Sequence, residues 1–293
     1  MYSSTSKTSC QLPDNKLLII LLGILTAYSV VRFWIFHTLP HDHYFPMYDS
    51  IIYMDTSKLS LLNPYFYPFK PFLYSLIVKI MARNVGAILL TQNLISIIAW
   101  FVLANCIRKQ IVNTYLGLAA LISILVYSCA AYIVIWDVKI MTESFSISLL
   151  AIFLASYLTV FNLRFKSRLA WILIAVALML AAIRDSNAYF VLLVAVTTLL
   201  AAYYLRKSPL SFDKKGLCLF LGGSLAAFCG SYITQFYRFP ESLCTTLIER
   251  VKNYPGASDY FIEHGAPYIT MNPFGCEGSS STMHWLQKHE QKP

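Results

Sequence analysis

Only 13% of the positions in this 293-residue chain are charged, so any chemistry it performs rests on few side chains. The ionisable residues that stand beside apolar runs are Arg32, His41, Asp42, His43, Asp49, Asp55, Lys70, Asp137, Glu143, Arg184 and Asp185. Held at membrane depth or at a helix mouth, such groups cost several kcal/mol unless they are paired or functional. Lys70, beside the chain-stiffening Pro71, would hold an ammonium where a lipid phosphate lies, or else is a snorkelling lysine. Arg184 is a second candidate phosphate clamp, against the alternatives that it pairs with Asp185 or marks a helix end. Glu143 opens an apolar run, where it either caps the helix and complements its dipole or faces a site. Asp49 stands before Ser50-Ile51-Ile52, the place of a helix N-cap. His41-Asp42-His43 offers metal ligands, with a solvated loop as the plainer reading.

The elements that must position these residues are apolar helices. Hydrophobic residues make up 57% of the chain, the net charge is +9 and the mean hydropathy is +0.59. That balance excludes a soluble globular enzyme, a disordered tail and a nucleic-acid-binding protein. Runs long enough to cross about 30 Å of hydrocarbon lie at Leu17–Phe36, Val85–Ile107, Tyr115–Trp136, Thr142–Phe161 and Leu217–Phe236. A weaker pair, Leu169–Ile183 and Tyr189–Leu205, forms a hairpin broken by Arg184-Asp185-Ser186-Asn187. The expectation is an all-α integral membrane protein of about seven spans, its first run retained as an anchor because no cleavage site follows it.

Orientation follows from the basic residues of the connections. Arg108 and Lys109, then Arg164, Lys166 and Arg168, then Arg206, Lys207, Lys214 and Lys215 put nine cations in three alternate loops, against Lys139 and Arg184 in the two opposite short loops. The N-terminus is therefore expected in the cytoplasm and residues 237–293, a small polar tail, outside. Within the tail, Glu241–Asn253 reads as a helix, with Leu243, Leu247 and Val251 on one face. The loop 37–84 falls on the outer side, where Tyr48–Leu62 and Pro71–Met81 are too short to span. They are expected to lie in the interface or to pack on the bundle, and their tyrosines, including Tyr53 and Tyr74, suit an interfacial belt. The seven cysteines show no metal spacing; only Cys244 and Cys276 are placed for a disulfide, and only in an oxidising compartment.

Tyr48-Asp49-Ser50, with Tyr53 four residues after the Asp and Lys70-Pro71-Phe72-Leu73-Tyr74 beginning 17 residues beyond Tyr53, resembles the first outer loop of GT-C polyprenyl-phosphate-dependent glycosyltransferases. That superfamily includes the protein O-mannosyltransferases and the lipid A aminoarabinose transferase. Ile140-Met141-Thr142-Glu143-Ser144 and Ala182-Ile183-Arg184 sit where related sequences carry an acidic residue and an Arg. The resemblance covers roughly residues 15–236 and implies a GT-C-like transmembrane module over 1–236. Family members commonly continue with further spans, so the chain resembles a C-terminally short member.

What the resemblance implies is inverting transfer of a sugar from a polyprenyl-phosphate donor to a lipid, glycan or protein acceptor on the extracytoplasmic side. Such transfer needs a base for the acceptor's proton and positive charge for the departing phosphate. Asp49 matches the family's catalytic position and is assigned as the general base, with Glu143 as the acid lining the site. Lys70, Arg184 and Tyr53 are assigned to the donor phosphate and substrate. Some relatives use a divalent metal ion, for which His41, Asp42 and His43 are the candidate ligands and which is the only cofactor in question. The expected partners are the lipid-linked donor, membrane lipids and an acceptor of unassigned class, with no nucleic acid, and the expected location is a bacterial inner membrane. A non-catalytic membrane subunit and a transporter of lipid-linked sugars are the alternatives.

Overall fold

The structure, a computed structural model, describes residues 13–41, 48–61, 72–205, 213–252, 270–272 and 275–277. Among the described residues ten helices follow one another: α1 Asp14–Thr38, α2 Tyr48–Thr56, α3 Phe72–Ile80, α4 Val85–Gln110, α5 Thr114–Ser128, α6 Ala131–Val134, α7 Thr142–Asn162, α8 Ser167–Ile183, α9 Ser186–Leu205 and α10 Lys214–Lys252. Two three-residue antiparallel strands, β1 Thr270–Asn272 and β2 Gly275–Glu277, come last, with β2 beside α10. Nothing in the sequence reading anticipated that small hairpin.

Five of these helices, within α1, α4, α7, α9 and α10, are long and apolar enough to cross a membrane. α5 and α8 are apolar but shorter. The chain is accordingly a helical membrane protein. Apolar side chains such as Ile19, Val30 and Trp34 on α1 face outward, a pattern that suits a lipid surround and not water.

The expected span Tyr115–Trp136 is not one helix. α5 stops at Ser128, where the Ser128 hydroxyl donates to the Leu125 carbonyl at 2.7 Å, and the short α6 starts after a turn at Cys129–Ala130. In contrast, Leu217–Phe236 and the described part of Glu241–Asn253, expected as a span and a separate tail helix, fall on the single helix α10, which runs to Lys252, although Pro240 inside it lacks the N–H for one ladder bond.

The two short segments after α1 pack against the bundle. Tyr53 of α2 and Tyr74 and Val78 of α3 join Phe36, Ile88, Val138, Phe145 and Ile183 in one buried cluster. Tyr53 and Tyr74 are thus core residues and not part of an interfacial belt. A second cluster at the other end of α7, α8 and α10 is built around Phe153, Phe165, Leu173 and Phe220.

Close helix approach comes from small residues, as is usual where lipid supplies no hydrophobic drive between helices. α4 and α7 meet through Ala99, Ala151 and Ala155. α8 and α10 meet at Gly223, where an added Cβ would stand 2.7 Å from Ile174 Cγ2. Its neighbour Gly222 has nothing within 4 Å of such a Cβ. Gly223→Leu is expected to destabilise the bundle by about 1–3 kcal/mol, whereas Gly222→Ala leaves it unchanged or slightly more stable. Thermal unfolding in detergent compares the two, and equal melting temperatures would mean that α8 and α10 are not packed through Gly223.

Candidate functional site

Arg32 sits near the end of the apolar helix α1 with no exposed surface, and Asp137, in the turn between α6 and α7, is 2% exposed. A guanidinium buried there is costly unless it is paired and hydrogen-bonded. Arg32 Nη2 donates to Asp137 Oδ2 and to Ser96 Oγ on α4, and Nη1 donates to the Ser128 carbonyl at the end of α5. The other Asp137 oxygen accepts from Ser144 Oγ of α7 at 2.6 Å. Burial pushes the Asp137 carboxyl up to about 6, against the lowering by Arg32, Ser144 and Ser96. The Arg32 guanidinium beside it favours the ionised carboxylate.

The turn that carries Asp137 is fixed by Gln92 of α4, whose Nε2 donates to the Lys139 carbonyl at 2.7 Å. Its Oε1 accepts from the Tyr74 hydroxyl of α3 at 2.6 Å. Tyr53 of α2 packs edge-on against Tyr74 with ring centroids 4.7 Å apart. A continuous set of contacts therefore runs from α2 through α3 and α4 to the Asp137 turn and α1.

A second ion pair lies at the same end. Glu143, in the first turn of α7, accepts from Arg184 Nη1 at 2.9 Å. Arg184 is held by its surroundings: it occupies the C-cap of α8, and Asn187 closes the α8–α9 link by donating to the Leu180 carbonyl at 3.0 Å and to Ser146 Oγ at 2.9 Å. Unlike Arg32 and Asp137, this pair is partly open, with the Glu143 side chain 18% and the Arg184 side chain 44% exposed.

Of the residues singled out from the sequence, the structure joins Glu143 and Arg184 and buries Tyr53 at 3% exposure within the cluster beside them. The backbone of Asp49 lies in the first turn of α2, the end where a cap or a helix-dipole partner belongs, while its side chain, like Lys70, Asp42 and His43, is outside the described residues. His41 lies with Nε2 2.8 Å from the Phe36 carbonyl, its ring 4.7 Å from that of Phe36. Among the described residues, no three His, Cys, Asp or Glu side chains gather as a metal site.

Sequence reasoning placed Arg32 and Asp137 among the ionisable residues beside apolar runs without pairing them, and it gave no role to Gln92, Ser96, Ser144 or Asn187. The usable signal was Arg32 itself, a cation well inside an apolar run that needs an acid from another element. Gln92, Asn93 and Ser96, polar and clustered in the run Val85–Ile107, are the second such signal. Compared with protein-family models, with curated proteins and with solved structures, the chain matches none.

Removing one partner of the buried pair leaves a charge with no counter-charge. Asp137→Ala is expected to cost about 3–5 kcal/mol, and the double change Arg32→Met with Asp137→Leu to recover most of it. Unfolding in detergent measures both; a single variant as stable as the wild type would show that Asp137 does not hold Arg32 in the folded protein.

Proposed function

We propose that the chain is a GT-C-type membrane glycosyltransferase with seven spans, moving a sugar from a polyprenyl-phosphate donor to a lipid, glycan or protein acceptor on the extracytoplasmic side of a bacterial inner membrane. The N-terminus is cytoplasmic on this reading. The observation that carries it is the shared cluster at one end of the bundle: Tyr53 of α2, Tyr74 of α3, Phe145 of α7 and Ile183 of α8 pack together. The helix bearing Asp49, the helix that follows Lys70 and the Glu143–Arg184 pair are thereby kept at one end.

In the proposed reaction Asp49 takes the proton from the acceptor hydroxyl as its oxygen attacks the anomeric carbon, and the polyprenyl phosphate leaves from the opposite face. Lys70 and Arg184 stabilise the negative charge that develops on the leaving phosphate. A guanidinium has five N–H donors, and the bond to Glu143 uses one, so Arg184 can be oriented by Glu143 and still present donors to a phosphate. Tyr53 acts from behind, as packing beneath the segment that carries Asp49. A divalent cation would add a further counter-charge for the phosphate, and His41, Asp42 and His43 are the residues in reach of that role by sequence.

The second reading, a non-catalytic membrane subunit or a transporter of lipid-linked sugars, draws on the same pairing. Two oppositely charged groups that satisfy each other need no substrate to explain them.

The test is transfer of radiolabelled sugar from defined polyprenyl-phosphate donors by the purified protein in lipid. Asp49→Asn is expected to lower the rate by about 10²–10⁴-fold with folding intact, the range for loss of a general base. Arg184→Gln is expected to weaken donor binding as well as rate. An unchanged rate in Asp49→Asn removes it as the base; a donor that binds without turnover puts the second reading first.

A further inference from the structure

At the end of the bundle away from Glu143 and Arg184, α4, α7 and α8 part around a cleft of about 310 Å³. Its floor is made of small groups, Ala155 and Ser156 of α7 and Cys106 of α4, whose sulfur lies 3.3 Å from the Ala155 carbonyl and 3.4 Å from Thr159 Oγ1. The walls are apolar: Phe101 and Val102 on one side, Leu169 and Ile172 on the other. Val102 and Ile172 are also exposed at 43% and 55%, so the slot opens on the outward face of the apolar helices. Lys109 lines the cleft where α4 ends, beside Asn105, whose amide oxygen accepts from Arg108 Nε at 3.0 Å.

The charge around that end is one-sided. Residues 105–115 and 163–172 contain Arg108, Lys109, Arg164, Lys166 and Arg168 and no Asp or Glu. Asp213, whose amide donates to the Arg164 carbonyl, is followed at once by Lys214 and Lys215.

We propose that this cleft is a binding site for an anionic glycerophospholipid, with one acyl chain in the slot between Val102 and Ile172 and the headgroup phosphate on the Lys109 ammonium. An apolar slot that opens toward hydrocarbon is filled by a lipid chain and not by water, because its walls offer water too few partners. A cation at the polar end of such a slot selects for a negative headgroup, as basic pockets between membrane helices do. The site is separate from the Glu143–Arg184 end and stands whether or not the chain transfers sugar.

Native mass spectrometry of the full chain, titrated with dioleoylphosphatidylglycerol or dioleoylphosphatidylcholine, tests this directly. The wild type is expected to retain the anionic lipid preferentially. Lys109→Gln is expected to lower its retention about fivefold, the effect of one cation at a charged headgroup, without changing retention of the zwitterionic lipid. Ser156→Leu, which fills the floor, is expected to abolish retention of the anionic lipid; Val102→Phe, at the exposed lip, does the same should the floor variant not fold. Equal retention of the two lipids by the wild type overturns the proposal. So does anionic lipid retained undiminished by either cleft-filling variant, which would leave only a basic surface, or undiminished by Lys109→Gln, which would leave only an apolar slot.

Discussion

A guanidinium buried in an apolar helix is the constraint on which the rest of the bundle depends. Arg32 cannot be left without partners at that depth, and its acid, Asp137, comes from outside α1. Its two Nη atoms bond to α4 through Ser96, to the end of α5 through the Ser128 carbonyl, and to the α6–α7 turn through Asp137, while Nε is buried with no partner among the described residues. Each of those elements is therefore tied to α1 by a polar bond, and loss of the one to Asp137 would leave the charge unpaired. The break in the apolar run after Ser128 belongs to the same account. The last carbonyls of a helix have no partner within it, and Ser128 offers one of these to Arg32, where a helix continued through 136 would have used it internally.

Once α1 is anchored, the other contacts are matters of close approach. Small residues set α4 against α7 and Gly223 sets α8 against α10. The tight turns between helices are made without glycine: Ala82 and Arg83 link α3 to α4, and Arg164 and Phe165 link α7 to α8, all with positive φ. A left-handed conformation costs about 1 kcal/mol or more for such residues and persists only where the surroundings hold it. Phe165 shows what holds it, because its ring is fully buried against Phe220, Tyr157 and Phe161.

The helices were legible from sequence for the simple reason that composition marks them: a run of apolar residues without charges has few alternatives in lipid. What was not legible is where a run stops being helix. Tyr115–Trp136 is apolar throughout, and nothing in its periodicity separates helix from turn; the break depends on Arg32, about a hundred residues away in sequence. The partner of Arg184 was hidden in the same way. Asp185 is its neighbour in the chain, yet Glu143, 41 residues earlier, is the acid that reaches it. Tyr53 and Tyr74 looked like interface residues because tyrosine has a polar tip, but Gln92 gives the Tyr74 hydroxyl a buried acceptor, and that turns an interfacial side chain into a core one. The sequence motif around Asp49 and Lys70 supplied candidates without supplying their geometry.

The two ion pairs share one end of the bundle and differ in a way that separates their roles. Arg32 and Asp137 are closed off, with every named partner inside the protein, so their energy goes into holding helices together; any ligand would have to break a buried, hydrogen-bonded pair to reach them. Glu143 and Arg184 stand on a helix start and a helix link, held by Asn187 and Ser146 but partly open to the surroundings. The one bond to Glu143 leaves other guanidinium N–H groups of Arg184, which is 44% exposed, open to a further acceptor without breaking the pair. A ligand that reaches this end therefore meets the open pair before the closed one, which stays with the packing of the helices.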